Sequence, residues 1–133
     1  MRARPARCDA VTALSLRCLI VDDSPRFCEE ARSLLEHEGL SVVGIARSGD
    51  EAMRFAEALH PDLVLLDISL GAESGFDVAC RLVEGSNADP PAVIFVSSYD
   101  EQEFTGRIEA SPALGFIAKT ELSGERIRRL LGY

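Results

Sequence analysis

Five short apolar runs punctuate this chain, and four of them end in chemically reactive side chains. The central run is Leu63-Val64-Leu65-Leu66, closed by Asp67. It is too short for a helix and follows the turn signal His60-Pro61-Asp62. It therefore reads as a strand buried on both faces, as in a parallel sheet. Leu19-Ile20-Val21 runs into Asp22-Asp23, Val93-Ile94-Phe95-Val96 into Ser97-Ser98, and Phe116-Ile117-Ala118 into Lys119. The remaining run lies within residues 40–46 and is rich in Val and Ile.

Helical spacing fills the intervals. Ser24 offers an N-cap oxygen with Pro25 at the first helical position, where its missing N–H costs nothing. Phe27, Ala31, Leu34 and Leu35 then line one face, and Gly39 ends the helix. Ser48-Gly49-Asp50 opens a second helix carrying Ala52, Ala56 and Leu59, stopped by Pro61. After a loop over residues 68–75, Phe76, Ala79, Leu82 and Val83 form a third stripe. Residues 100–110 read as a helix with Phe104 and Ile108 inward, weakened by Gly106 and broken by Ser111-Pro112. Residues 121–131 read as the last helix, with Leu122, Ile127, Leu130 and Leu131 apolar. Strands over 16–21, 40–46, 63–67, 92–96 and 114–118 thus alternate with helices. The pattern predicts an α/β fold, a doubly wound five-stranded parallel sheet with helices on both faces and right-handed crossovers.

A length of 133 residues favours one domain with one core. We assign residues 16–133 to that domain and residues 1–15, with Arg2, Arg4 and Arg7, to a poorly ordered extension. The fourteen residues after Lys119 suffice for one helix and leave no room for a second domain. Net charge is −8, opposite to the basic footprint of a nucleic-acid binder. No apolar run approaches the roughly 18 residues that span a bilayer, so no membrane partner is expected. Cys8, Cys18, Cys28 and Cys80 form no CxxC pair and have no His at zinc-ligand spacing. They read as reduced thiols acting as small apolar groups, which fits a cytoplasmic protein.

A parallel sheet collects the ends of these runs at its carboxyl edge, where ligands gather in open α/β folds. Asp22, Asp23 and Asp67 would then share one pocket. Three carboxylates repel one another unless a cation intervenes, and hard oxygen donors suit Mg²⁺ together with phosphate. Lys119 adds an ammonium and Ser97 a hydroxyl. A carboxylate nucleophile, a divalent ion, an ammonium and a hydroxyl make up a phosphoryl-transfer site. Singly, each residue has a blander reading: a helix cap for Asp22 or Asp23, a turn residue for Ser97, a solvated charge for Lys119. The signal is their coincidence at one edge.

With these residues in view, the chain resembles the receiver domain of bacterial two-component response regulators over about residues 16–132. The matching stretches are Leu19-Ile20-Val21-Asp22-Asp23-Ser24, Leu63-Val64-Leu65-Leu66-Asp67, Gly75, Val96-Ser97-Ser98 and Phe116-Ile117-Ala118-Lys119. The separations of 30 from Asp67 to Ser97 and 22 from Ser97 to Lys119 also fit. The resemblance implies a flavodoxin-like sheet of strand order 2-1-3-4-5. It implies Asp67 as phosphoacceptor, and Mg²⁺ held by Asp23, by Asp22 through water, by Asp67 and by the Ser69 carbonyl. Ser97 and Ser98 would form the switch loop, Lys119 would pair with the phosphoryl group, and Phe116 would stand as the switch aromatic. Ser69 and Tyr99 would tune water access to the acyl phosphate. The donor would be a sensor histidine kinase, a phosphotransfer protein or a small acyl phosphate. The output would be a downstream protein or a second copy, met on the 100–131 face. This makes the chain a signalling phosphoacceptor rather than an enzyme with turnover. Three positions depart from the family pattern: Thr120 follows Lys119 in place of proline, Gly71 replaces a common proline, and Phe116 replaces a frequent tyrosine.

Other readings are the amino-terminal receiver of a DNA-binding regulator, an aspartyl-nucleophile phosphohydrolase, and a flavin module of the same topology. The phosphohydrolase would carry a second acid two residues after its nucleophile, where Ser69 stands. The flavin module would need a Gly-rich phosphate loop where the acidic Asp22-Asp23 stands.

Overall fold

The computed structural model describes residues 16–85, 89–98 and 104–132. The proposed extension over 1–15, Tyr99 and the first residues of the 100–110 helix lie outside them. β1 (Arg17–Val21), β2 (Ser41–Ala46), β3 (Leu63–Asp67), β4 (Ala92–Ser97) and β5 (Gly115–Ala118) form one parallel sheet. Its order is β2-β1-β3-β4-β5, as anticipated. Strand β3 is central and every one of its residues is buried, which is why its sequence shows an unbroken apolar run instead of alternation.

The helices are α1 (Pro25–His37), α2 (Gly49–Leu59), α3 (Gly75–Glu84), α4 (Thr105–Ala110) and α5 (Gly124–Leu131). Strand alternation divides the core in two. Leu19, Val64, Leu66, Val93 and Phe95 pack with Ala52, Phe76, Val78, Leu82 and Ile108 of α2, α3 and α4. Ile20, Leu63, Leu65, Ile94 and Ile117 pack with Cys28, Ala31, Leu35 and Ile127 of α1 and α5. Caps hold the helix starts: Ser24 Oγ accepts from Phe27 N at 3.3 Å and Ser48 Oγ from Glu51 N at 3.2 Å. Past the end of α1, Gly39 takes φ +94°.

Two expectations change. The last helix does not begin at Glu121. Lys119–Glu121 forms a 3₁₀ turn, and α5 starts after Ser123, whose Oγ accepts from Arg126 N at 3.1 Å. A serine cap at the true start outweighs the apolar Leu122 that suggested an earlier one. Within the expected 100–110 helix, residues 105–110 are helical and residues 100–103 lie outside those described. The segment 68–75, expected as a loop, contains a hairpin with Ser69–Leu70 paired to Glu73–Ser74. Gly71 opens its two-residue turn at φ +61°, the positive φ that a II′ hairpin needs at that position and proline cannot adopt.

The cysteines Cys18, Cys28 and Cys80 are free thiols. Burial pushes Cys18 up to about 12 and Cys28 up to about 11, in the latter with the Asp22 charge adding to it. Both therefore stay protonated and pack as apolar groups, as their sequence context suggested.

Candidate functional site

Register decides which chain ends meet. Val21 lies beside Leu66 and Ala46, Asp67 beside Val96, and Ser97 beside Ala118. Asp22, Asp67, Ser97 and Lys119 therefore emerge together at the carboxyl edge. The Asp22 backbone stays tied to β2, its N–H donating to Ala46 O at 3.0 Å.

Asp22 is fully buried, Asp67 is 6% exposed, and Asp23 is exposed. Carboxylate oxygens of the three lie within 4.8 Å of one another. Lys119 joins two of them: its Nζ stands 2.7 Å from Asp22 Oδ2 and 3.3 Å from Asp67 Oδ2. The other oxygen of each acid accepts a backbone N–H, Asp22 Oδ1 from Ser24 at 2.8 Å and Asp67 Oδ1 from Ser69 at 3.1 Å. Both are Asx-type turns that aim the carboxylates along the edge.

Charge crowding shifts the protonation equilibria at this edge. Burial, and then the Asp22 charge, push the Asp67 carboxyl up to about 6, while Lys119 and the Ser69 N–H pull in the other direction. For Lys119, burial favours the neutral amine, but the Asp22 and Asp67 carboxylates outweigh it and raise its pKa. The lysine is closer to Asp22 than to Asp67, which leaves Asp67 the less compensated of the two acids.

The donor set suits a hard divalent cation. Among the described residues no donor is aligned on the buried Asp22 Oδ2 for a hydrogen bond, despite the nearby ammonium. The exposed Asp23 carboxylate adds further oxygen lone pairs. Gly71 leaves room for them: a Cβ at that position would stand 3.3 Å from Asp23 Oδ2. Three carboxylates around one small space, with a single lysine, are short of positive charge.

Other anticipated residues are distributed around this centre. Ser97 is buried at the end of β4, Ser98 is exposed, and Ser69 is exposed on the hairpin. Alternation along β4 sends Ser97 to the side of Val93 and Phe95, and the half-buried Phe116 packs against that same side. Two contacts escaped sequence reading. Phe27, taken as a core position of α1, presents its ring 4.4 Å from Lys119 Nζ. Glu73 accepts from Gly49 N at 2.8 Å and so moors the hairpin to the start of α2. Spacing carries no sign of either contact, since both join segments far apart in the chain.

A family profile described as the response regulator receiver domain matches residues 18–131. The chain is similar to the positive alginate biosynthesis regulatory protein of Pseudomonas aeruginosa, with 39% identity over 106 residues, 78% of this chain and 41% of that protein. It is also similar to the signal receiver domain of a modulated diguanylate cyclase from Desulfovibrio desulfuricans, at 33% identity and TM-score 0.73, covering 88% of this chain and 90% of that one. The response regulator domain of Thermotoga maritima CheB shares the fold, with TM-score 0.75 and 23% identity over 88% of this chain and 94% of that one. The chain spans about half, or less, of the length of the curated relatives it matches first. Profile and fold agree over nearly all described residues, and the chain belongs to the response regulator receiver domain family.

Proposed function

We propose that this chain takes a phosphoryl group on Asp67 from a sensor histidine kinase or phosphotransfer protein, and signals through a protein-contact face. Receiver domains are phosphoacceptors. The observation that carries the assignment is the lysine bridge at the end of the central strand, with Nζ 3.3 Å from Asp67 Oδ2. An Asp67 oxygen attacks phosphorus and the bond from phosphorus to the donor breaks. For a phosphohistidine the electron pair returns to the imidazole nitrogen. With its carboxyl at about 6, Asp67 is ionised at neutral pH and available for attack.

Asp22, Asp23, Asp67 and the Ser69 carbonyl are the groups that would hold Mg²⁺, whose bound charge offsets that of the phosphoryl oxygens. Lys119 neutralises one of those oxygens and Ser97 donates to another. Reorientation of Ser97 would open space toward Phe116 on the same side of the sheet, coupling the charge event to packing near α4 and β5. That region also carries Leu114 and Leu130, the two exposed large hydrophobic residues among those described. It suits contact with a downstream protein or a second copy. A cytoplasmic location follows from such a donor. Among the described residues no helix is long and apolar enough to cross a membrane.

A second reading makes the domain one part of a longer regulator, and the greater length of its curated relatives favours it. An aspartyl phosphohydrolase fits less well, because the residue two after Asp67 is the serine of the hairpin and not an acid. Incubation with acetyl phosphate and Mg²⁺, read by intact mass, tests the assignment. One added phosphoryl group is expected in wild type and none in Asp67→Asn; full labelling of that variant would overturn it.

A further inference from the structure

Lys119 reaches the acids from β5, the edge strand, across the end of β4. A lysine stem has four rotatable carbons and many rotamers, so something must select the one that lies over the pocket. Its two carboxylate contacts, 2.7 Å to Asp22 and 3.3 Å to Asp67, are with groups that a divalent ion and the phosphoryl group also engage. The ring of Phe27 is a third contact and a neutral one, with its centroid 4.4 Å from Nζ. Lys119 keeps only 16% of its side chain exposed, and in so dry a setting the negative face of a ring attracts an ammonium appreciably. Phe27 itself is well fixed. It sits in the first turn of α1, its N–H is held by the Ser24 cap, and its other contacts are with the core beneath α1.

We propose that Phe27 is a positioning residue for Lys119, its ring face holding the ammonium over the acidic pocket whether or not the carboxylates are otherwise engaged. The proposal rests on the phosphoacceptor reading of Asp67. It deepens that reading by adding a residue on α1, remote in sequence from Asp67 and from Lys119, to the set that controls phosphoryl arrival. A Phe on the inner face of a helix is ordinarily core filling. What separates the two roles is the ring's electrostatics, since filling depends on volume and positioning on the π face.

Site-specific replacement of Phe27 by mono-, di- and trifluorophenylalanine weakens the π face stepwise with little change in volume. At subsaturating acetyl phosphate with Mg²⁺, the labelling rate of Asp67 is expected to fall along the series, by about three- to tenfold at trifluoro. The thermal midpoint should stay level. Phe27→Tyr should label near the wild-type rate, and Phe27→Leu should lose rate like the trifluoro protein. In the metal-free protein, NMR should find the Lys119 ε-methylene protons shifted upfield by the ring, and Phe27→Leu should abolish the shift. Equal labelling rates across the fluorinated series, or an unshifted Lys119 methylene in wild type, would overturn the proposal. If wild type is not labelled at all, the phosphoacceptor reading fails and the positioning role falls with it, even where the ring shift is present.

Discussion

Gly75 and Gly106 both lie in the opening turn of a helix, and a methyl group added to each would meet opposite surroundings. At Gly75 it would stand 2.4 Å from Asp67 O and 2.7 Å from Ile68 Cα. At Gly106 it would meet nothing within 4 Å among the described residues. The corner where β3 passes through the hairpin into α3 is closed by Gly75 N donating to Ile68 O at 2.7 Å, by the Ser74 cap on Phe76 N and by Glu73 on Gly49 N. The α4 region has a six-residue helix preceded by Phe104, which has no capping oxygen, and the exposed Leu114 follows it. A phosphoacceptor must be held to a fraction of an ångström, while a surface that changes shape must be loosely held. In the function proposed above, Asp67 belongs to the first kind, and the described residues pack the corner that holds it closely while leaving open space around Gly106.

Breaking the tight corner should have the largest effect. Gly75→Ala forces backbone against backbone, and we expect a loss of about 1–3 kcal/mol in urea unfolding together with slower labelling of Asp67. Wild-type stability in that variant would mean the corner yields more easily than its packing indicates.

The next test concerns charge within the corner. Because Asp67 holds its proton up to about 6 in the metal-free fold, a divalent ion must displace that proton below this pH. Mg²⁺ affinity should rise with pH toward about 6, by up to tenfold per unit, and level off above. Asp23→Ala should lower it by about tenfold or more at every pH. Isothermal titration at several pH values reads both; affinity independent of pH from 4.5 to 7 would remove Asp67 from the site.

The same shift has a stability sign. A carboxyl raised from 3.8 to about 6 makes the folded state bind more protons than the unfolded one in that window. Its contribution to stability therefore falls as pH rises from about 4 to 6, and the loss persists above. Without metal, Asp67→Asn should be more stable than wild type at pH 7, by about 1 kcal/mol after solvent screening, and the gain should vanish near pH 4. Thermal unfolding of the pair at both pH values is the check.

The smallest effect belongs to the loose edge. Gly106→Ala should stabilise by about 0.5–1 kcal/mol, because the helix gains propensity and no neighbour is displaced. A destabilised variant would show that α4 is packed by residues outside those described.

Much of the tight region was legible from the sequence. A run such as Leu63–Leu66 can only be doubly covered, so its strand and its terminal Asp67 followed from pattern, while the strand order came from the family resemblance. The hairpin after it was readable in principle from Gly71-Ala72 between Leu70 and Glu73, but two-residue strands leave no alternation to detect. The start of α5 was misjudged because Leu122 continues the apolar stripe while Ser123 caps the helix that follows, and local capping chemistry decides such boundaries. Tyr99 and the beginning of the 100–110 helix lie outside the described residues and received no test.

What the sequence alone determined is what periodicity and end residues encode: five strands, their helical cover, and a row of Asp, Ser and Lys side chains at the strand ends. These are local properties, written within a few residues of one another. Only the tertiary structure decided that Lys119 leans on both Asp22 and Asp67, that Phe27 faces its ammonium and that Glu73 moors the hairpin to Gly49. Those contacts join segments 24 to 97 residues apart. Their geometry depends on strand register and helix docking, for which no short stretch of sequence carries a signal.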